Sequence, residues 1–393
     1  MRGRLKVLQV SSGLDPRTGG TATAAVNVAL AARRADIAVT LVYPFEPADL
    51  ERLVPDLARL KAAGVRTIGF PFWRLGGRRA VRWAIAPALI HYLRHHAGDF
   101  DLVHAHSAWV ATSVAAVSAA RRAERPSVLM PHEALTRFDM ARGGNRMLRL
   151  AKRLLRGWYL RRVDGIVVSS DLERRDSELE DDPRTIAIPH PVLDETVPAP
   201  PPAAAGSGPL RIGFLGRLDP KKNLHRLVKS LAAAPGVRLS IGGDGDPAYR
   251  GEIEAVIARH GVADRVSWLG FLDGAGKAEF FRNLDLVAMP SGFECFGLVA
   301  AEALGAGTPV ILSPTVGIAD MIADADCGAI VPPRSDALAA CFGRLDDRVE
   351  LARWRTHARQ VALDLFSFAA HGTKLRETYE SLIEGSRTIV RRL

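Results

Sequence analysis

Short apolar runs recur along the whole chain, each closed by a glycine, proline or small-residue turn and followed by a stretch of helix-forming composition. In the first half they are Leu5 to Val10, Ile37 to Tyr43, Val65 to Phe70, Asp101 to His104, Ser127 to Met130, Gly165 to Ser169 and Thr185 to Ile188. Each reads as a buried strand, and segments between them, such as Pro47 to Ala62, read as helices. Strand and helix in steady alternation predict a parallel sheet with helices on both faces. A stretch rich in Pro, Ala and Gly, Pro198 to Gly208, marks a linker. The alternation then resumes with Leu210 to Leu215, a helix near Leu224 to Ala234, Val237 to Ile241, a helix over Tyr249 to His260, and Val266 to Leu269. The expectation is an α/β chain of two doubly wound, Rossmann-like domains. At 393 residues, 48% of them hydrophobic, it has enough apolar side chains for two cores.

The most informative stretch is Met289 to Pro309, MPSGFECFGLVAAEALGAGTP. A strand ends at Pro290, a loop follows, and a helix starts near Leu298 and stops at Gly305, Gly307 and Pro309. The backbone N–H groups of Phe296, Gly297 and Leu298 would point out of the helix start, where unpaired donors and the helix dipole favour an anion such as phosphate. Glu294 in the loop and Glu302 inside the helix are acceptor-only groups suited to sugar hydroxyls. The spacing by itself equally suits a capping acid and a solvated helix glutamate. A second strand-to-helix turn, Gly216-Arg217-Leu218-Asp219-Pro220-Lys221-Lys222-Asn223, places cations beside a helix start. There Arg217 can grip phosphate oxygens bidentately and Lys222 can add a point charge.

Gly216-Arg217-Leu218 with Lys222, then Glu294-x-Phe296-Gly297-Leu298 with Glu302, then Gly307-Thr308-Pro309-Val310, resembles the C-terminal half of the retaining, nucleotide-sugar-dependent glycosyltransferases of family 4, which have the GT-B fold. The resemblance covers nearly the whole chain. It implies an acceptor-binding domain over 1–197, a linker over 198–208, a donor domain over 209–372, and a final helix over 373–393 that returns to the first domain, with a cleft between the domains. It also implies that Gly19 and Gly20, in the turn after the first strand, lie against the donor diphosphate or sugar. From the residues alone, that glycine pair is compatible with a loop that merely needs positive φ. His132, at a strand end where ligands of such sheets bind, corresponds to a family histidine that contacts the donor sugar. The neighbouring Glu133 stands where an Asp or Gly is commoner and receives no role. His190-Pro191 replaces the family's usual Asn-Gly.

His104 and His106, two apart, share one face of an extended strand end. With no third ligand in the pattern, a structural or acceptor-shaping role is expected in place of a metal site. Asp-x-Asp spacing occurs at Asp244-Gly245-Asp246 and Asp324-Ala325-Asp326, but the first resembles the family's glycine loop and the second sits at a helix end. No metal and no other cofactor is expected, and no P-loop or dinucleotide fingerprint is present.

The formal net charge is +10, and part of it is concentrated in 137–163. Arg137, Arg142, Arg146, Arg149, Lys152, Arg153, Arg156, Arg161 and Arg162 stand there against the single Asp139. Met147, Leu148, Ala151, Leu154, Leu155 and Trp158 recur at helical spacing, with Arg149, Lys152, Arg153 and Arg156 on the other face. The stripe is expected to pack on the sheet while the charges meet an anionic membrane surface. Nucleic acid is not expected as a partner, because no aromatic stacking motif accompanies the charge. The cysteines Cys295, Cys327 and Cys341 are too few for a disulfide framework, and no run reaches the ~20 apolar residues of a spanning helix. A cytoplasmic protein, peripheral at the membrane, is expected.

The sequence thus predicts a metal-independent retaining transferase of the hexosyltransferase type. In it Arg217, Lys222, Glu294 and His132 act on the donor; Gly19, Gly20, Gly216, Phe296, Gly297, Leu298 and Glu302 bind it. The acceptor would be a glycan or a lipid-linked one. A nucleotide-sugar epimerase or hydrolase, and a non-catalytic nucleotide-sugar-binding subunit, share this architecture.

Overall fold

The computed structural model describes residues 4–72, 86–142, 146–197, 208–345 and 348–390. The chain forms two compact units, Met1–Pro191 with Ser367–Leu393, and Val192–Phe366.

In the first unit the strands are β1 (Lys6–Val10), β2 (Ala38–Phe45), β3 (Arg66–Pro71), β4 (Leu102–His106), β5 (Ser127–Met130), β6 (Gly165–Val168) and β7 (Thr185–Ala187). The intervening helices are α1 (Gly20–Arg34), α2 (Leu50–Ala62), α3 (Pro87–His96), α4 (Ala111–Arg122), α5 (Arg137–Ala141), α6 (Arg146–Leu160) and α7 (Asp171–Asp176). The strands make one parallel sheet in the order β3-β2-β1-β4-β5-β6-β7. Side chains on β1 alternate between two cores: Val7 joins Val26, Val39 and Tyr379 on one face, and Leu8 joins Leu89, Val117 and Tyr159 on the other. Burial on both faces is what makes these strands continuous apolar runs.

The second unit repeats the plan. Its strands are β8 (Leu210–Leu215), β9 (Val237–Gly242), β10 (Val266–Gly270), β11 (Leu286–Met289), β12 (Val310–Leu312) and β13 (Gly328–Ile330). Its helices are α8 (Leu224–Ser230), α9 (Pro247–Arg259), α10 (Gly274–Arg282), α11 (Leu298–Gly305), α12 (Ala319–Ile322), α13 (Ser335–Arg344) and α14 (Val349–Phe366). The sheet order is β10-β9-β8-β11-β12-β13, again parallel. Both expected sheets are therefore present.

The last helix, α15 (Phe368–Val390), belongs to the first unit, lying along α1. The approach is close enough that a Cβ on Gly372 would overlap Ala31 O, and Leu375 and Tyr379 are fully buried. The unit boundaries differ from the sequence expectation of 197 and 372, falling instead at 191/192 and 366/367. The reason is local pairing: Val192 N and Leu193 N donate to Phe366 O at 2.9 and 3.2 Å, so this segment is held by the end of α14. Of the expected linker, 198–207 lies outside the described residues.

Helix α6 departs from expectation. On its inward edge Lys152 and Tyr159 are buried and Leu148 and Leu155 half-buried, while Met147, Leu150 and Leu154 are 78, 57 and 66% exposed. The rotation has an electrostatic cause: the Lys152 ammonium is drawn inward to Asp139 Oδ2 at 2.7 Å and Asp139 O at 2.6 Å, over the Trp109 ring. Residues 143–145 of the basic stretch lie outside the described residues.

Candidate donor site and histidine cluster

In the second unit two strand-to-helix turns are stitched together. After β8 the chain turns at Gly216, whose φ of +153° places it in a region glycine favours. Gly243, from the loop after β9, packs on it so closely that a Cβ there would overlap Gly216 O. Asp219 caps the Pro220–Lys222 turn by accepting from Lys221 N at 2.9 Å. Asn223 then adopts a left-handed conformation and donates from Nδ2 to Pro290 O at 2.9 Å, while Gly292 N donates to Lys221 O at 2.7 Å. These bonds bring the Arg217–Lys222 turn against the loop after β11.

That loop carries Glu294. Its backbone is fixed on both sides, Glu294 N donating to Thr315 O and Gly317 N donating to Glu294 O, each at 2.9 Å. Lys222 Nζ stands 2.6 Å from Glu294 Oε1. Burial pushes the Glu294 carboxyl up, but Lys222 and Lys221 outweigh it and hold the group below the ordinary glutamate value. Arg217 is 57% exposed, its Nη2 standing 3.8 Å from Asp219 Oδ2. Glu302, on α11, receives Lys277 Nζ on both oxygens at 2.9 and 2.8 Å.

Helix α11 starts at Leu298, with Gly297 at φ +109° as its cap. The N–H groups of Gly297 and Leu298 have no hydrogen-bond partner among the described residues. The Phe296 ring is not part of this surface: it is buried and stands edge-on to Phe366. The site therefore combines exposed guanidinium, fixed ammonium and free amide groups, all suited to a phosphorylated ligand, with two carboxylates each paired to a lysine.

The Asp-x-Asp segments are occupied with structure. Asp244 accepts from Gly245 N and Asp246 caps α9 through Ala248 N, at 2.8 and 2.9 Å. Asp326 pairs with Arg353 at 2.9 Å.

In the first unit, Gly19 has φ +116° and caps α1, whose first residue is Gly20. A Cβ at Gly19 would meet nothing within 4 Å, so the requirement for glycine there is the backbone angle, with open space beside it. His104 and His106 both lie within β4, fully buried, with ring centroids 4.4 Å apart. His106 Nδ1 is 3.0 Å from His132 Nε2, and His132 stacks on His190 at 5.1 Å. His371 and Tyr379 of α15 close the cluster, Tyr379 Oη standing 2.5 Å from His104 Nδ1. Burial and neighbouring histidines push His104 down to about 3. Burial carries His371 to about 4, and His106, His132 and His190 also lie well below the ordinary imidazole range. Among the described residues no group of three or more His, Cys, Asp or Glu side chains is arranged to hold a metal ion.

His132 and Glu133 are consecutive non-glycine residues with positive φ, +52° and +76°. Glu173 holds that turn. It is fully buried and accepts from Glu133 N at 2.8 Å and from Ser169 N and Oγ at 2.7 and 2.6 Å. Sequence reading missed Glu173, Lys277 and Lys221. For Glu173 a signal existed in Ser170-x-x-Glu173, a helix-start pattern whose serine does accept from Glu173 N.

Comparison with known proteins gives one consistent picture. Residues 18–192 match the family described as Glycosyltransferase Family 4, and residues 201–360 match Glycosyl transferases group 1. A D-inositol 3-phosphate glycosyltransferase of Mycobacteroides abscessus is 36% identical over 177 residues, 42% of this chain and 40% of that protein. A phosphatidyl-myo-inositol mannosyltransferase of Mycobacterium leprae is 32% identical over 253 residues, 62% of this chain and 63% of that protein. The chain thus spans about half the length of the curated relatives it matches. Among solved structures, Anabaena Alr3699/HepE in complex with UDP and glucose superposes with a TM-score of 0.75 at 22% identity, covering 96% of this chain and all of that one. Sucrose-phosphate synthase from Thermosynechococcus elongatus gives 0.78 at 21% identity, covering 97% and 100%.

Proposed function

The chain belongs to the family 4 glycosyltransferases and has the GT-B fold, and from that membership and the turns around Gly216 and Gly297 we propose that it transfers a hexose from a nucleoside diphosphate to an acceptor hydroxyl with retention of configuration. The observation that carries the reading is the Lys222–Glu294 pair, set in a turn that also offers Arg217 and is stitched to the loop leading to the α11 amides. Negative charge grows on the leaving diphosphate as the glycosidic bond breaks. Arg217, Lys222 and the N–H groups of Phe296, Gly297 and Leu298 stabilise it, and Gly216 lets the backbone approach. Positive charge from these side chains takes the place a metal ion fills elsewhere, so the reaction proceeds without one.

Glu302 takes the ribose hydroxyls, with Lys277 bonded to both of its oxygens. Glu294 takes donor-sugar hydroxyls while anchoring Lys222. From the first unit we assign His132, Gly19 and Gly20 to the donor. No side chain is assigned as an enzymatic nucleophile; the acceptor attacks on the face the diphosphate leaves, and the leaving phosphate receives its proton. Relatives named for inositol phosphate and phosphatidylinositol acceptors, together with the exposed Arg-rich face of α6, support a glycan or lipid-linked acceptor met at the inner, anionic face of a membrane. No described helix is long and apolar enough to cross one.

Thermal melting against UDP-, GDP- and ADP-sugars tests the reading. A ligand at ~100 times its dissociation constant adds roughly 2.7 kcal/mol. Stabilisation by one nucleotide class, lost in Arg217→Ala and Glu302→Ala, is expected; no shift with any of the three overturns it.

A further inference from the structure

His132, assigned above to the donor sugar, has a partner within its own unit, and that partner limits what it can do. Only one proton can lie between His106 Nδ1 and His132 Nε2, so one ring donates and the other accepts. His106 is fully buried, and its Nε2 has no hydrogen-bond partner among the described residues. Were His132 the donor, a neutral His106 would carry its own proton on that Nε2, a buried N–H with no acceptor. With His106 the donor, Nε2 keeps only an unpaired lone pair. Orphaned buried N–H groups are rarer in proteins than under-used acceptors.

His371 makes the same choice without ambiguity. Its Nδ1 faces Pro189 O at 2.8 Å, and a carbonyl only accepts, so Nδ1 carries the proton and the buried Nε2 is the bare nitrogen. His104 repeats the arrangement, Nδ1 bonded to Tyr379 and a buried Nε2 without a partner. Three neighbouring rings thus share one pattern, a bonded Nδ1 and an orphaned Nε2.

We propose that His106 is a positioning residue, which by donating from Nδ1 fixes His132 as its Nδ1–H tautomer. The remaining polar group of His132 is then a donor. It gives a hydrogen bond to an oxygen of its ligand and cannot take a proton from one, because Nε2 is already engaged. The backbone enforces the placement: His132 and Glu133 sit at φ +52° and +76°, a conformation pinned by Glu173 and not relaxed by local preference. His132 is also the less buried partner, so its free edge is the one a ligand can reach. That the ligand is a donor sugar rests on the transferase reading; the tautomer does not.

The test uses the full chain with 15N-labelled histidine and long-range proton–nitrogen NMR at pH 7.5, His132 being assigned by comparison with His132→Gln. The expected result is a protonated Nδ1 and a bare Nε2 on His132. The same pattern is expected in His106→Asn, whose amide N–H can still donate from near the Nδ1 position. In His106→Leu the tautomer should become mixed. With UDP-glucose and GDP-mannose as probes, kcat for nucleotide release should fall about tenfold in His106→Leu, the loss of one well-placed hydrogen bond, and recover in His106→Asn. The melting shift given by UDP or GDP should be unchanged in both. A wild-type His132 protonated on Nε2 overturns the proposal, as does a His106→Leu protein that folds and keeps both tautomer and kcat. If the tautomer is as expected but no nucleotide shifts the melt, the positioning holds and the transferase reading falls.

Discussion

Lys222 Nζ stands 2.6 Å from Glu294 Oε1, with Lys221 Nζ 4.0 Å from the same oxygen, and all three side chains are between 11 and 14% exposed. Removing one partner of such a pair strands the other charge. Lys222→Ala is therefore expected to cost about 3 kcal/mol, the low end for a broken buried pair because Lys221 remains. The folded-state value of Glu294 is depressed, so this contribution is present above the unfolded glutamate value and is lost as pH falls through the folded one. Urea midpoints of wild type and Lys222→Ala should accordingly lie far apart at pH 7 and converge below pH 4. Equal separation at both would break the assignment of the pair as the cause.

Gly297 caps α11 at φ +109°, and a Cβ there would lie 2.7 Å from Val316 Cγ1. Gly297→Ala combines a strained backbone with a steric clash, for a loss of about 1–3 kcal/mol. On the proposed reading, the displaced helix start would also hold the donor diphosphate less well. A lower urea midpoint together with a weaker UDP- or GDP-sugar melting shift is expected; a lower midpoint alone would mean the amides are not at the ligand.

Much of this was legible beforehand, and what was not has physical reasons. The central strands are buried on both faces and β1 to β11 read as short apolar runs, whereas β12 and β13, three residues each, are too short to register in the sequence. Glu294 and Lys222 stood out because each lies in a turn between a strand and a helix. Lys277 did not, because its pairing with Glu302 joins residues 25 apart through packing of separate elements. The apolar stripe of α6 was misplaced because it is wider than the edge that packs inward, and an inward-facing lysine, Lys152, chose which side of it is buried. The histidine cluster was half visible: His104 and His106 share one face of β4 and His132 follows the end of β5, but nothing local announces that α15 brings His371 and Tyr379 to them.

Arg217, Lys221 and Lys222 place three cations in one turn, and both Asp-x-Asp segments are engaged in a turn, a cap and an ion pair. Stabilisation by the favoured nucleotide sugar, and nucleotide release from it, should persist in excess EDTA. Loss of both, restored by magnesium or manganese, would make the reaction metal-dependent and demand a different charge carrier.

Burial holds His104 at about 3 and His371 at about 4, below the ordinary value of 6.5. A histidine depressed in the folded state binds its proton preferentially when unfolded. Stability is thus full above pH 6.5 and falls as pH drops toward the folded values, by about 1.4 kcal/mol per unit for each ring. Urea midpoints should be flat from pH 8 to 7 and fall steeply from 6.5 to 4.5. The slope should be shallower in His371→Gln. An unchanged slope in that variant would assign the acid sensitivity to other groups.

Helix α6 offers the last prediction. Met147, Leu150 and Leu154 recur at helical spacing on its exposed side, and Arg146, Arg149 and Arg153 lie beside them without an ion-pair partner among the described residues. Lys152, by contrast, is buried and bound to Asp139, so it contributes nothing to the surface. An apolar ridge flanked by arginines suits the boundary between headgroups and acyl chains, each cation near an anionic surface adding about 1 kcal/mol. A second copy of the helix would bring arginine against arginine, which disfavours self-association through this face. The protein should float with vesicles containing phosphatidylglycerol at low salt and remain at the bottom with phosphatidylcholine alone. Leu150→Glu with Leu154→Glu should abolish flotation while leaving the melting temperature and its nucleotide shift unchanged, since neither side chain is buried. Arg149→Glu with Arg153→Glu should do the same. Flotation that survives both double substitutions would place the membrane contact elsewhere on the chain.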